Sequence, residues 1–169
     1  MSMALAFSPE ANDQIDAILK RYPTRLAALI PVLFVAQRTF GYLSSEAMEL
    51  VAARLDLPPA QVISTATFYT MFNKKPVGRY HVQVCKNISC YLRGADEVTS
   101  CLSEKLGVRP GGTTPDGAFT LEEVECLAAC GRAPVVQVNE QYHEWQTRES
   151  AAALVAELRE KAGAKGGGV

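Results

Sequence analysis

Cys85-Lys-Asn-Ile-Ser-Cys90 and Cys126-Leu-Ala-Ala-Cys130 are two short cysteine-bounded segments around which this chain must fold. The two thiols of each segment can reach a common point from one tight loop, and 35 residues separate Cys90 from Cys126. Thiolates are soft ligands that favour zinc, copper(I) or iron–sulfur clusters. The pattern therefore indicates a centre where two distant loops meet, and our first interpretation is a 2Fe–2S cluster held by all four thiols.

Two other interpretations of the same cysteines remain open on spacing alone. A structural zinc ion also takes four thiolates, and both intervals fall within the range found in zinc sites. Two disulfides rank third, because nothing in the sequence indicates an oxidising compartment and a fifth cysteine, Cys101, would be left over. A thioredoxin-type dithiol would need the C-x-x-C motif, which the sequence lacks.

Length, charge and hydropathy favour a protein of the reducing cytoplasm. The 169 residues suffice for one large domain or two small ones, and a net charge of -1 argues against a nucleic-acid or polybasic membrane binder. The first seven residues lack the basic and apolar regions of a secretory signal. The longest apolar run, residues 26–36, is interrupted by Pro31 and is too short to span a bilayer.

The first 75 residues show helical periodicity and predict an N-terminal helical bundle. Ser8 followed by Pro9 is typical of a helix start. Thr24 is expected to cap a second, very apolar helix, in which Pro31 marks either a kink or the true first turn. The four predicted helices begin, in order, near Ser8, Leu26, Ser44 or Ser45, and Pro59.

The last two of these helices have the pattern of a helix-turn-helix, but their charges argue against DNA binding. Residues 59–72 contain no Lys or Arg, and Gln61 is the only amide side chain. A recognition helix needs such side chains for phosphates and bases. We therefore expect the aromatic segment 67–72 to pack inward or against a protein partner.

After the polar segment 73–78 the apolar period changes from that of a helix to that of a strand. Tyr80, Val82 and Val84 predict a half-buried strand that delivers Cys85 at its end. Cys101 falls on the apolar face of a following helix and is interpreted as a core residue. Further predicted elements, in order, are a helix over 90–106, a strand over 119–124, a hairpin of 134–138 with 141–145, and a final helix capped by Thr147.

These patterns predict an α+β protein with three parts. Residues 1–75 form the helical region, residues 76–162 an α/β domain with both cysteine pairs in loops at strand ends, and residues 163–169 a flexible tail.

Several segments closely resemble one family, the thioredoxin-like 2Fe–2S subunit of NADH:quinone oxidoreductase, the E subunit of bacterial respiratory complex I. In the second half the resemblance lies in residues 84–96, 113–130 and 133–138, which include both cysteine pairs. In the first half it lies in Ile30-Pro-Val-Leu, Phe40-Gly-Tyr-Leu-Ser44 and Ala66-Thr-Phe-Tyr-Thr-Met-Phe72. It covers roughly residues 8–160 and makes zinc a minor alternative.

The resemblance implies a thioredoxin-like fold for the second part, with Cys85, Cys90, Cys126 and Cys130 as cofactor and metal ligands. The cluster would accept an electron from FMN in an NADH-binding flavoprotein subunit, on the cytoplasmic peripheral arm of a membrane-associated complex. FMN and NADH are expected only in that partner, since this sequence has no nucleotide-binding glycine motif and no catalytic residues of its own. The alternatives are a small subunit of an NAD-linked hydrogenase or formate dehydrogenase, or a zinc-binding interaction module.

The same resemblance gives expectations for the surroundings of the cluster. Cys90 should lie near a helix start, where backbone N–H groups face the sulfurs. Arg93 and Arg132 would either raise the reduction potential or lie at the surface. His81 and His143 are interpreted as ordinary strand residues, which argues against a Rieske centre. The expected amide donors are Asn87, Ile88, Ser89, Ala129 and Gly131.

Overall fold

The computed structural model describes residues 5–164, and the chain folds as two compact units divided between Pro76 and Val77. This division lies one residue from the boundary placed by the sequence. The predicted α+β class is confirmed, because helices build the first unit and a mixed sheet with helices builds the second. No helix within the described range is both long and apolar enough to cross a bilayer.

The first unit consists of four helices whose starts follow ordinary capping chemistry. The Ser8 hydroxyl accepts the N–H of Ala11 at 3.2 Å, and the Ser44 hydroxyl accepts that of Ala47 at 3.2 Å, so both predicted caps are confirmed. The helices are α1 (Pro9–Arg21), α2 (Leu29–Phe40), α3 (Ser45–Leu55) and α4 (Pro59–Phe68).

The second helix begins three residues later than predicted. Thr24 accepts the N–H of Ala27 at 3.1 Å, but this bond closes a turn before α2 rather than capping it. Pro31 consequently lies in the first turn of α2, where its missing N–H has no helical partner to lose. Of the two roles considered for Pro31, the first-turn role is the one observed.

The aromatic segment 67–72 packs inward only in part. Phe72 is fully buried, with its ring centroid 5.0 Å from that of Phe34. Phe68 is 77% exposed and Met71 is partly exposed, so inward packing is wrong for these two side chains. The large, fully buried side chains of this unit are Ile15, Leu29, Leu33, Leu43, Leu55 and Phe72.

The second unit is built on a four-stranded sheet of β1 (Tyr80–Cys85), β2 (Phe119–Val124), β3 (Val136–Val138) and β4 (Gln141–His143). Their order across the sheet is β2-β1-β3-β4. The central strand β1 is parallel to β2 and antiparallel to β3, and β3 pairs antiparallel with the edge strand β4. Both histidines lie in strands, as predicted. The two hairpin strands, β3 and β4, are shorter than predicted.

The connection from β1 to β2 contains two helices where the sequence predicted one. Gly94 adopts a φ of +92°, a left-handed conformation that interrupts helical hydrogen bonding and suits glycine. It separates α5 (Ile88–Leu92) from α6 (Ala95–Leu106). Cys101 of α6 is buried in the core beside the sheet, which confirms its interpretation as a core residue.

The last helix, α7 (Arg148–Ala164), packs against α6 and the sheet. Thr147 accepts the N–H of Ser150 at 3.2 Å, which confirms the predicted cap. The helix extends two residues into the segment predicted as a flexible tail, because Gly163 and Ala164 are helical. The rest of that tail, residues 165–169, lies outside the described residues, as do residues 1–4 of the N-terminal segment.

Candidate metal centre

The two cysteine segments meet because β1 and β2 are parallel neighbours. In their register Cys85 lies opposite Val124, so the carboxyl ends of the two strands lie side by side. The N–H of Lys86 donates to the Val124 carbonyl at 3.0 Å, and the N–H of Cys85 donates to the Val135 carbonyl at 3.1 Å. The ladder therefore places the first cysteine between the two ends of the segment that carries Cys126 and Cys130.

The first pair, Cys85 and Cys90, is buried, and its two thiols interact. The pKa of Cys90 is raised to about 11, chiefly by burial and then by hydrogen bonding with Cys85. A hydrogen bond from the Val135 backbone opposes the rise, and the neighbouring charges of Cys85 and Cys130 add to it. A buried thiol of this kind becomes a thiolate when a metal cation supplies the compensating charge.

The second pair is exposed and lies in a loop between β2 and β3. The Cys126 sulfur accepts the N–H of Ala128 at 3.2 Å. The backbone of Ala128 itself has a φ of +56°, an uncommon left-handed conformation for a residue with a side chain. Cys130 begins a 3₁₀ turn, Cys130–Arg132.

Of the predicted ligands, Cys85 and Cys130 both contribute to the raised pKa of Cys90. The hydrogen bond described for Cys126 lies within its own loop. Across residues 5–164, no three His, Cys, Asp or Glu side chains are arranged to hold one metal ion. The observed arrangement is thus a buried thiol pair with an exposed pair on the adjacent loop.

Among the described residues, one backbone N–H donates to a cysteine sulfur, and the amide donors expected around a bound cluster stay a prediction. The Ala128 N–H donates to the Cys126 sulfur, and the Val135 backbone acts on Cys90 by lowering its pKa. The N–H of Ile88, one of those expected donors, donates to the Asn87 side-chain oxygen at 2.8 Å. Sequence patterns carry no signal for Ala128, because it donates through its backbone amide and not through its side chain.

The two arginines near the cysteines bind protein groups. Arg93 donates its Nε–H to the Ala133 carbonyl at 2.9 Å. Arg132 forms an ion pair with Glu144 at 2.6 Å, and its guanidinium lies 5.5 Å from the ring centroid of Trp145. Both side chains therefore stabilise the segment that follows the second cysteine pair.

Comparison with known proteins identifies relatives over most of the chain. The sequence model of the family described as thioredoxin-like [2Fe-2S] ferredoxin matches residues 15–159. The NADH-quinone oxidoreductase E subunit 2 of Rhizobium meliloti (strain 1021) is 47% identical over 132 residues, which are 78% of this chain and 79% of that protein. The NADH-quinone oxidoreductase E subunit of Rickettsia bellii (strain RML369-C) is 46% identical over 147 residues, 85% of this chain and 88% of that protein.

A solved structure shares the fold. The crystal structure of an NAD+-reducing [NiFe]-hydrogenase in the air-oxidized state superposes with a TM-score of 0.66 at 20% sequence identity. The match covers 76% of this chain but only 23% of the hydrogenase chain. At this identity the likeness concerns the arrangement of helices and strands.

Proposed function

The chain belongs to the thioredoxin-like [2Fe-2S] ferredoxin family, and we propose that it is an electron-transfer subunit of an NADH:quinone oxidoreductase. Its membership confirms the predicted thioredoxin-like fold. The observation that carries the proposal is the high identity, over most of both chains, to proteins named as the E subunit of that enzyme. The fold shared with a hydrogenase supports a second candidate, the corresponding part of an NAD+-reducing hydrogenase.

The proposed ligands of the 2Fe–2S cluster are Cys85, Cys90, Cys126 and Cys130. The donor set fits this cofactor, because four thiolates hold such a cluster and each iron needs only two of them. A buried pair and an exposed pair on adjacent loops agree with two thiolates for each iron. The hydrogen bond from Ala128 to the Cys126 sulfur is of the kind that tunes the reduction potential of a cluster. Cys101 is not among the proposed ligands, because it lies in the core and its thiol donates to the Arg148 carbonyl at 3.2 Å.

When bound, the cluster supplies one-electron chemistry, and the polypeptide holds it near the surface on the side of Cys126 and Cys130. The proposed electron donor is reduced FMN in an NADH-binding flavoprotein subunit. In this proposal the enzyme activity belongs to the whole complex, whose peripheral arm faces the cytoplasm. The small domain supplies ligands and their hydrogen bonds, and the partner supplies the sites for NADH and flavin.

Metal analysis of the anaerobically purified full chain tests the cofactor. The expected product is brown and contains iron and acid-labile sulfide in equal amounts. A colourless protein with stoichiometric zinc would contradict the proposal and support the zinc-binding interaction module instead.

Co-purification from the native host tests the parent complex. A tagged chain is expected to retain an FMN-containing subunit, and NADH should then reduce the cluster, as followed by its EPR signal. Recovery of quinone-reductase subunits supports the first candidate. Recovery of a nickel-containing subunit would assign the chain to a hydrogenase.

A further inference from the structure

The loop that carries the exposed cysteine pair is hydrogen-bonded, between its two cysteines, to the hairpin formed by β3 and β4. Tyr142 lies in β4, the outermost strand, and its hydroxyl donates to the Leu127 carbonyl at 2.9 Å. Leu127 follows Cys126 directly, and its side chain is almost fully buried, whereas Tyr142 is 44% exposed. One bond therefore links the edge of the sheet to the backbone between Cys126 and Cys130.

The same hairpin holds the end of this loop through Arg132. The ion pair of Arg132 with Glu144 and the stacking of its guanidinium on Trp145 both use residues that follow β4. In addition, the Trp145 N–H donates to the Arg132 carbonyl at 2.8 Å. These contacts lie two residues beyond Cys130, so the loop is anchored on both sides of that cysteine.

The loop needs these contacts because it forms no β-sheet hydrogen bonds of its own. Strand β2 ends at Val124 and β3 begins at Val136, and the described hydrogen bonds within residues 126–132 are local. An exposed segment with few internal bonds would otherwise sample many conformations. Ligands of a metal site, by contrast, depend on outer contacts that fix their orientation.

We propose that Tyr142 is a positioning residue, which acts through the Leu127 carbonyl to hold Cys126 and Cys130 where they can bind iron. Glu144 acts in the same way through Arg132 at the end of the loop. Neither side chain ligates iron or takes part in electron transfer. The inference rests on the proposed cluster, because Tyr142 and Glu144 support the loop that carries two of the proposed cluster ligands, Cys126 and Cys130.

Tyr142→Phe tests the proposal, since it keeps the ring and removes only the donor. Tyr91→Phe is the matched control, because Tyr91 adjoins Cys90 and is also exposed, yet its hydroxyl makes no hydrogen bond within the described part of the chain. The full chain, loaded with iron and sulfide, is mixed with an iron chelator. We expect Tyr142→Phe to release iron about threefold to tenfold faster than the control, as expected for loss of one hydrogen bond.

The EPR spectrum of the reduced protein gives a second readout that a general loss of stability would not move. We expect shifted g-values in Tyr142→Phe and unchanged ones in Tyr91→Phe. Equal release rates and identical spectra for the two variants would overturn the proposal. If Tyr142→Phe does not fold, Glu144→Gln decides by the same two readouts and the same criteria.

Measurements on the wild-type chain distinguish a failure of the positioning role from a failure of the proposed cluster. If wild type binds no iron and sulfide, the proposed function fails. If wild type binds them and Tyr142→Phe behaves as the control does, only the positioning role fails.

Discussion

Arg93 and Ala133 are joined by a 2.9 Å hydrogen bond from a guanidinium nitrogen to a backbone carbonyl. Arg93 lies three residues after Cys90, and Ala133 lies three residues after Cys130. The bond thus connects the segments that follow the two cysteine pairs, 40 residues apart in the chain. Hydrogen bonds with a charged donor are stronger than neutral ones, and this one is partly protected from water.

Replacing Arg93 by lysine should weaken this connection, because lysine cannot reproduce the directed Nε–H. We expect Arg93→Lys to lower the free energy of unfolding by about 1–2 kcal/mol. Urea unfolding of the iron-free chain, followed by circular dichroism, provides the measurement. Arg159→Lys is the control, since Arg159 also donates to a carbonyl, that of Lys105 at 2.8 Å, but at an exposed site away from the cysteines. Equal losses in the two variants would contradict the prediction.

Alanine substitutions should distinguish the four proposed ligands from the fifth cysteine, Cys101, by their effect on iron content. Alanine at any one of the four ligand positions is expected to reduce the iron content and the visible absorbance. Cys101→Ala should keep both and lower the free energy of unfolding by roughly 1 kcal/mol, because it removes only a small buried side chain. Loss of colour in Cys101→Ala would overturn the ligand assignment. The proposed ligand positions are Cys85, Cys90, Cys126 and Cys130.

Thr120 satisfies a buried backbone group at the start of β1. Its hydroxyl accepts the N–H of Gly78 at 2.6 Å. The backbone is tightly packed here, because a Cβ atom added to Gly78 would lie only 2.6 Å from the Phe119 carbonyl carbon. Thr120→Val keeps the shape but leaves this N–H without an acceptor, so we expect a loss of about 1–3 kcal/mol in unfolding free energy. Urea unfolding measures it.

The control for that substitution is Thr67→Val in α4. The Thr67 hydroxyl is exposed and donates to the Ile63 carbonyl of its own helix. Its loss should change stability by no more than about 0.5 kcal/mol. A loss as large as that of Thr120→Val would show that the buried N–H is not the cause.

Asp116 should make the stability of the second unit depend on pH. Its pKa is lowered, first by the hydrogen bond from the Thr114 hydroxyl and then by the N–H of Ala118. A carboxyl with a lowered folded-state pKa stabilises the protein above its unfolded-state pKa, and this contribution disappears as pH falls through the folded-state pKa. Asp116→Asn should therefore be less stable than wild type at neutral pH, with a gap that narrows in acid.

Urea midpoints of both proteins, measured from neutral pH down to about pH 3, check this dependence. A gap that stays constant across the range would mean that the charge of Asp116 contributes nothing, and that the substitution acts only through its shape.

The sequence predicted those features of the fold that depend on local chemistry. The serine caps, the strand that ends at Cys85 and the core position of Cys101 follow from hydrogen-bonding side chains and from apolar periodicity. The break at Gly94 was missed because helical periodicity continues across it. The choice between inward packing and packing against a partner stayed open for Phe68, because periodicity does not distinguish a side chain in the core from one at the surface.

The candidate site was predictable in its residue types but not in its internal hydrogen bonds. Cysteine spacing indicates which thiols can share a loop, whereas the meeting of the two loops depends on the parallel register of Cys85 with Val124. The donor Ala128 acts through its backbone amide, which every residue type except proline provides. The support from Tyr142 arises from the position of an edge strand, which is a tertiary property.

The pairing of β1 with β2 has a consequence for the response of the chain to loss of its cofactor. A cofactor bound to both Cys90 and Cys126 would be a cross-link that closes a loop of 35 intervening residues. Such cross-links act chiefly by lowering the conformational entropy of the denatured chain. Because all five cysteines lie after Pro76, chelation should sensitise the sheet unit to proteases and leave the digestion of the helical unit unchanged.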